Sequence, residues 1–337
     1  MRIVITGGHG FVGSALADEL IARGSFRGQP IDALVLADKF APEVSRFDEV
    51  PFVRTVRGDL AEQLPALFAE PVDAVFHLAS AVSAECERDF DLGINANLLT
   101  TRALLEAARA QQAAGGGQAM VLFSSSVAVY GPDPALPLPE VVSETTLPTP
   151  QSSYGSQKFA CEQFFADYTR KGFVDGRVVR LMTVAIRPGK PNAAASSFVS
   201  GIIREPLAGI EAPCPVGRHV LLAILSPRRT VAGLLAVAEA ERGDGPGQLN
   251  GRIPVNLPAL TVSVGEMLDA LRAIAGDAVA DRVVEQPDPA IEAIVQSWPA
   301  RVDGTRAGTL GLTADPDISA VIRQYLEDHA DAVQPFA

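Results

Sequence analysis

Near its N-terminus the chain runs from a short apolar segment, Ile3-Val4-Ile5-Thr6, straight into Gly7-Gly8-His9-Gly10-Phe11-Val12-Gly13. A buried strand, a turn with glycine at every third position and a helix that starts inside it leave few possible geometries. Gly7, Gly10 and Gly13 allow the backbone to bend tightly and to approach a ligand, while the helix N-terminus presents unpaired N–H groups and a favourable dipole to an anion such as a pyrophosphate. Phe11 and Val12 lie on the same expected cofactor-binding surface. A ligand-free turn would use the same glycines, but the strand before and the helix after them point to a dinucleotide.

The alternation continues. Apolar runs at Ala33–Asp38, Val53–Arg57, 74–78, 119–124 and 177–186 read as strands, and the patterns at 12–23, about 98–110 and 154–171 read as helices. Strands that are apolar throughout are buried on both faces, which predicts an α/β fold with a doubly wound parallel sheet of the Rossmann kind, its ligands outside the carboxyl ends of the strands. At 337 residues and 47% hydrophobic, the chain is also long enough for a second, smaller lobe. That lobe is expected to begin where the composition turns to Arg187-Pro-Gly-Lys-Pro-Asn-Ala-Ala-Ala-Ser-Ser, material for a pocket-shaping loop. A helix at 230–241 and a strand at 254–257 should return to the sheet, and helices at 265–275 and 319–329 should complete the lobe. The expected division is 1–187 as NAD-binding domain with return segments near 229–258, and 188–228 with 259–337 as an interleaved substrate lobe.

A formal net charge of -12 argues against nucleic acid or an anionic membrane as partner, so an anionic substrate must be met by a few local cations. No apolar run approaches the length of a membrane span, and the N-terminus lacks the form of a signal peptide, so a cytoplasmic location is expected. Cys86, Cys161 and Cys214 are far apart, and none of the four histidines stands at ligand spacing from another, so neither a disulfide framework nor a metal is expected. A homodimer is among the assemblies the sequence allows.

Asp38, at the end of the second strand, can accept hydrogen bonds from the ribose hydroxyls and would repel a 2′-phosphate, which favours NAD; Lys39 pulls the other way. Asp59 and Leu60 follow the third strand within reach of an adenine, with capping of a helix at Ala61 as the plainer role for Asp59. Leu78, Ala79 and Ser80 close the fourth strand beside the cofactor, Ser80 facing the substrate, while the preceding His77 reads as structural. Tyr154 and Lys158, four residues apart on a helix, point into one volume. An ammonium beside a phenol favours the phenolate and would make Tyr154 a usable base. Ser126, at the end of Phe123-Ser-Ser-Ser, can polarise the reacting oxygen. For the carboxylate of a small acid the candidates are Arg187, Lys190, Asn192, Ser196, Arg204 and Arg229, with Arg228 and Arg229 equally suited to a carboxylate of the fold.

The glycine turn, Asp59, His77-Leu-Ala, Asn97-Leu-Leu-Thr-Thr, Ser126 and Tyr154-x-x-x-Lys158 together resemble the extended short-chain dehydrogenase/reductases, which include nucleotide-sugar epimerases and dehydratases. The resemblance implies that Ser126, Tyr154 and Lys158 are the catalytic set, with Asn97 in support. A narrower one runs through both lobes. Ser152-Ser-Tyr-Gly-Ser-Gln-Lys, the segments 170–177, 187–198 and 201–207, Ser226-Pro-Arg-Arg and Val262-x-x-Gly-Glu-Met are similar to the D-erythronate dehydrogenases, a family that oxidises the C2 hydroxyl of a four-carbon sugar acid with NAD. A nucleotide-sugar 4-epimerase is the competing enzyme; a dehydratase commonly has an acidic residue after the serine, where this chain has Val127. A non-catalytic NAD(P)-binding sensor would have lost the tyrosine or lysine, and both are retained.

Overall fold

Ile3 and Ile5 enter one apolar layer and Val4 the opposite one, so the first strand, Arg2–Thr6, is buried on both faces. Leu34 and Leu36 repeat this on one side, with Val35 and Ala37 on the other. In the computed structural model, which describes residues 1–189 and 196–336, seven strands form one sheet. Its order is Val255–Asn256, Asp175–Leu181, Met120–Ser126, Ala74–His77, Arg2–Thr6, Ala33–Asp38, Val53–Arg57, and every pairing is parallel. The order reverses beside Arg2–Thr6, which opens a crevice at the carboxyl ends where a dinucleotide binds in this architecture.

Helices cover both faces. Phe11–Arg23 and Pro227–Glu239 bury Leu16, Leu20, Leu234 and Leu235 against the layer that holds Ile3. Leu60–Leu67, Thr100–Ala113 and Ser153–Arg170 bury Leu67, Leu104, Leu105, Cys161 and Phe165 on the other side. Each fully buried Leu or Phe contributes about 1.5–3 kcal/mol, so these stripes fix which way each helix faces. Ser152 starts the helix Ser153–Arg170 by accepting from Gly155 N at 3.1 Å, and Ser226 starts Pro227–Glu239 by accepting from Arg229 N at 3.1 Å.

A second apolar core, with Ile186, Val199, Ile202, Ile203, Leu222, Met267 and Ile322, lies under the helices Ser197–Leu207, Val264–Ala275 and Ile318–Asp328. Its sheet aligns Thr183–Val184, Leu221–Leu225 and Leu260–Ser263. The sequence pattern predicts one strand over 177–186; the structure divides it into Asp175–Leu181 in the large sheet and Thr183–Val184 in the small one. Both sheets bury the run, so its hydrophobicity holds no mark of the crossing. The segment near 98–110 is longer than its pattern suggests, with a π-helical stretch Ile94–Leu99 leading into Thr100–Ala113. Val302, Ala307, Leu310 and Leu312 pack on the large-sheet core.

The outermost strand, Val255–Asn256, pairs only with Val179 and Arg180. Nearer the start of Asp175–Leu181, Arg242 donates through Nη2 to Gly176 O at 2.6 Å and through Nε to Asp175 Oδ1 at 2.9 Å.

One buried polar cluster ties these elements together. Glu162, from the helix Ser153–Arg170, accepts from Arg180 Nε at 2.8 Å, from Arg180 Nη2 at 2.6 Å and from Ser125 Oγ at 2.5 Å. Arg180 Nη1 also donates to the Tyr130 hydroxyl at 2.5 Å, and Tyr130 donates to Ser143 O at 2.8 Å. Both charged side chains are almost fully buried. Removing one partner of such a pair leaves a charge without compensation, whereas removing both does not. Arg180→Met should therefore lower unfolding stability by about 3–5 kcal/mol, and Arg180→Met with Glu162→Leu should recover part of the loss. Denaturant unfolding checks this: additive or greater loss in the double variant would show that the pair is not coupled.

Candidate active site

The glycine turn is built by close approach. A Cβ on Gly7, whose φ is +70°, would lie 2.9 Å from Ala79 N, and one on Gly13 would lie 2.1 Å from Gly7 O. The turn thus sits against Leu78 and Ala79 at the end of the fourth strand. Phe11–Arg23 begins without a side-chain cap, so the first-turn amides around Phe11, Val12 and Gly13 are open to an anion. These residues fit a dinucleotide pyrophosphate.

Asp38 stands at the end of the second strand with both oxygens oriented by backbone: Oδ2 accepts from His9 N at 3.0 Å and Oδ1 from Phe40 N at 2.9 Å. Lone pairs remain for ribose hydroxyls. Lys39 points elsewhere, its Nζ 3.5 Å from Asp59 Oδ2, while Asp59 Oδ1 caps the next helix by accepting from Ala61 N at 3.1 Å. Leu60 follows directly as the first helical residue.

On the catalytic side, Lys158 is 2% exposed and donates from Nζ to Ser124 O at 2.8 Å. The ammonium lies 4.7 Å from the Phe123 ring centre and 5.5 Å from that of Tyr154. Among the described residues, two rings and one carbonyl thus surround this buried cation. Tyr154 is half-buried. Ser126 Oγ accepts from Ala128 N at 3.1 Å, which leaves its O–H to donate. Helix and turn touch at Gly155, where a Cβ would lie 2.1 Å from Ala128 O.

His77 is a buried strut: Nδ1 lies 2.7 Å from Thr6 Oγ1 and Nε2 2.9 Å from Thr101 Oγ1. Burial, assisted by the Lys158 charge, pushes its pKa down to about 3, so the ring is neutral. Asn97 is buried and spends its side chain on structure. Its Oδ1 accepts from Ser80 Oγ at 2.9 Å and Ala81 N at 2.8 Å, and its Nδ2 donates to Gln157 Oε1 at 2.9 Å. Asn97 therefore bears on the site through the Ser80–Ala81 turn and the helix of Tyr154, and the Ser80 hydroxyl is itself turned toward Asn97.

Arg187 is half-buried beside these groups. It donates from Nε to Val184 O at 2.8 Å and from Nη2 to Ser196 Oγ at 3.1 Å, and its guanidinium lies 5.4 Å from the centre of the Phe11 ring. Burial lowers its pKa, opposed by the phenol of Tyr154. No carboxylate among the described residues pairs with it. Arg204 is a different case: it is buried, pairs with Glu205 and donates from Nη1 to Arg187 O at 2.7 Å, so these partners belong to the fold. Arg228 pairs at the surface with Glu327 and Asp328. Lys190 and Asn192 lie outside the described residues. Sequence reasoning passes over Ser200 and Glu162; for Glu162 a signal exists, since it continues the Tyr154, Lys158 spacing by one further turn on the same helix face.

Comparison with known proteins gives this geometry its relatives. The model of the NAD dependent epimerase/dehydratase family matches residues 3–222. A D-erythronate dehydrogenase of Cupriavidus necator is 49% identical over 97% of this chain and 98% of its own, and one of Haemophilus influenzae is 42% identical over 97% and 99%. The crystal structure of a nucleoside-diphosphate-sugar epimerase from Agrobacterium tumefaciens superposes with a TM-score of 0.89 at 38% identity, covering 98% of this chain and 95% of that one. A Rossmann sheet, an uncapped glycine turn, a tyrosine with a buried lysine and this family match lead to one assignment: the chain belongs to the NAD dependent epimerase/dehydratase family, as an oxidoreductase of CH–OH groups with NAD as its cofactor.

Proposed function

We propose that this enzyme oxidises the C2 hydroxyl of a small sugar acid, D-erythronate, to the 2-oxo acid. The observation that carries the acid class is Arg187, a half-buried cation beside Tyr154 with no carboxylate partner among the described residues. A buried charge without a counter-ion is costly unless a ligand supplies one, and a substrate carboxylate does. The four-carbon identity rests on near full-length similarity to two D-erythronate dehydrogenases.

When bound, NAD supplies the hydride acceptor. Tyr154, as phenolate beside the Lys158 ammonium, takes the hydroxyl proton, and the Ser126 O–H steadies the developing charge on that oxygen. The turn at Gly7 to Gly13 holds the pyrophosphate, Asp38 the adenosine ribose, and Leu78, Ala79 and Ser80 the cofactor edge, with Asp59 and Leu60 toward the adenine. Arg187 and Ser196 receive the carboxylate side, with Lys190 and Asn192 among the further candidates from the sequence.

Tyr154→Phe keeps the ring and removes only the proton-transfer oxygen, so kcat should fall by about 10²–10⁴-fold with the NAD dissociation constant nearly unchanged. Activity within a few-fold of wild type would remove Tyr154 from the mechanism. Lys158→Met should also weaken NAD binding, read by NADH fluorescence titration.

Asp38→Ser removes the charge that repels a 2′-phosphate, so the ratio of kcat/KM with NADP to that with NAD should rise by about tenfold or more. Wild-type enzyme that already prefers NADP would refute the ribose assignment.

The substrate reading is tested by NADH production across four- and five-carbon sugar acids, their neutral polyols and UDP-sugars. D-Erythronate should give the highest kcat/KM, and Arg187→Gln should raise its KM by about 10–100-fold while leaving the weak polyol activity as it was. Faster turnover of a UDP-sugar would replace the dehydrogenase reading with an epimerase.

A further inference from the structure

Both backbone polar groups of Arg187 are held by one helix of the smaller lobe. Ser200 Oγ accepts from Arg187 N at 3.0 Å, and Arg204 Nη1 donates to Arg187 O at 2.7 Å. Ser200 and Arg204 stand four residues apart on Ser197–Leu207 and so share a face, and they are only 1% and 6% exposed. With its N–H and C=O pinned, Arg187 has little backbone freedom; with Nε on Val184 O and Nη2 on Ser196 Oγ, its guanidinium is aimed as well.

As a source of stability the arrangement is poor. Arg204 is paired with Glu205, whose Oε2 is buried without a hydrogen-bond partner among the described residues, and an ion pair taken out of water with one oxygen so placed recovers little beyond its desolvation cost. What the pair accomplishes is to fix where the Arg187 main chain lies.

We propose that Ser200 and Arg204 are positioning residues for substrate specificity: without touching substrate, they set the height at which the Arg187 guanidinium meets a carboxylate beside Tyr154. The helix Ser197–Leu207 thereby sets the preference for an acid over a neutral polyol. This rests on the reading of Arg187 as the carboxylate anchor. A charge-assisted hydrogen bond is directional, and a displacement of about 1 Å is enough to lose much of it, whereas a polyol makes no such demand.

The test compares D-erythronate with its neutral polyol in wild type, Arg187→Gln, Ser200→Ala, Arg204→Lys and the double variant Arg204→Met with Glu205→Gln, which removes both buried charges together. Folding is checked by NADH fluorescence titration. Ser200→Ala and the double variant should each raise KM for the acid by about tenfold, leave kcat at saturation within about twofold and leave polyol kinetics unchanged; Arg204→Lys, which keeps one donor, should recover part of the loss. Equal losses on acid and polyol, or acid KM unchanged in both helix variants while Arg187→Gln loses the preference, overturn the positioning role alone. If Arg187→Gln keeps the full preference for the acid, the carboxylate assignment falls and this inference with it.

Discussion

The Glu162–Arg180 ion pair is the point from which the geometry of the candidate site hangs. A sheet and a helix that met only through apolar side chains could slide by fractions of an ångström at small cost, since dispersion contacts are individually weak and non-directional. Glu162 prevents this by holding Arg180 through two hydrogen bonds and Ser125 through a third, so the helix of Tyr154 and Lys158 is locked to the strand that ends in Ser126. Arg180 passes the constraint on to Tyr130, beyond the turn after Ser126. The cluster is almost fully buried, so its hydrogen bonds are shielded from water and keep their directionality.

A second level of order is the sharing of one cation between two lobes. Arg187 emerges where the chain leaves the strand Thr183–Val184, yet its guanidinium packs over Phe11 from the cofactor-binding turn. The same residue therefore meets the glycine turn, Tyr154 and the smaller lobe. The acidic balance of the whole chain makes this local cation more informative, since nothing in the overall field would gather anions for it.

Much of this was readable in the residues before any coordinates. The glycine turn, the strand Ala33–Asp38 ending in a carboxylate, and the tyrosine and lysine one turn apart are local patterns, and local patterns declare themselves. What stayed hidden depends on long-range partners. Lys39 beside Asp38 looked like a hint of phosphate tolerance, yet it turns to Asp59, on the next strand's loop. As bare residues Arg204 and Arg187 are both candidates for a carboxylate; burial against Glu205 and the Arg187 carbonyl sets Arg204 apart. The passage of the chain between two sheets near Met182 left no trace, because buried strands of either sheet call for the same apolar residues.

The short last strand bears on how the molecule behaves in a crowded solution. A parallel sheet closed by two paired residues leaves the outer edge of most of its last long strand, Asp175–Leu181, without a neighbouring strand, and bare strand edges recruit other chains. Here Arg242 takes the place of a neighbouring strand: it satisfies the Gly176 carbonyl and sets a charged, Asp175-paired group where an incoming backbone would have to lie. An intruding strand would have to displace a guanidinium that holds both the Gly176 carbonyl and Asp175, so this edge is guarded by chemistry and not by length.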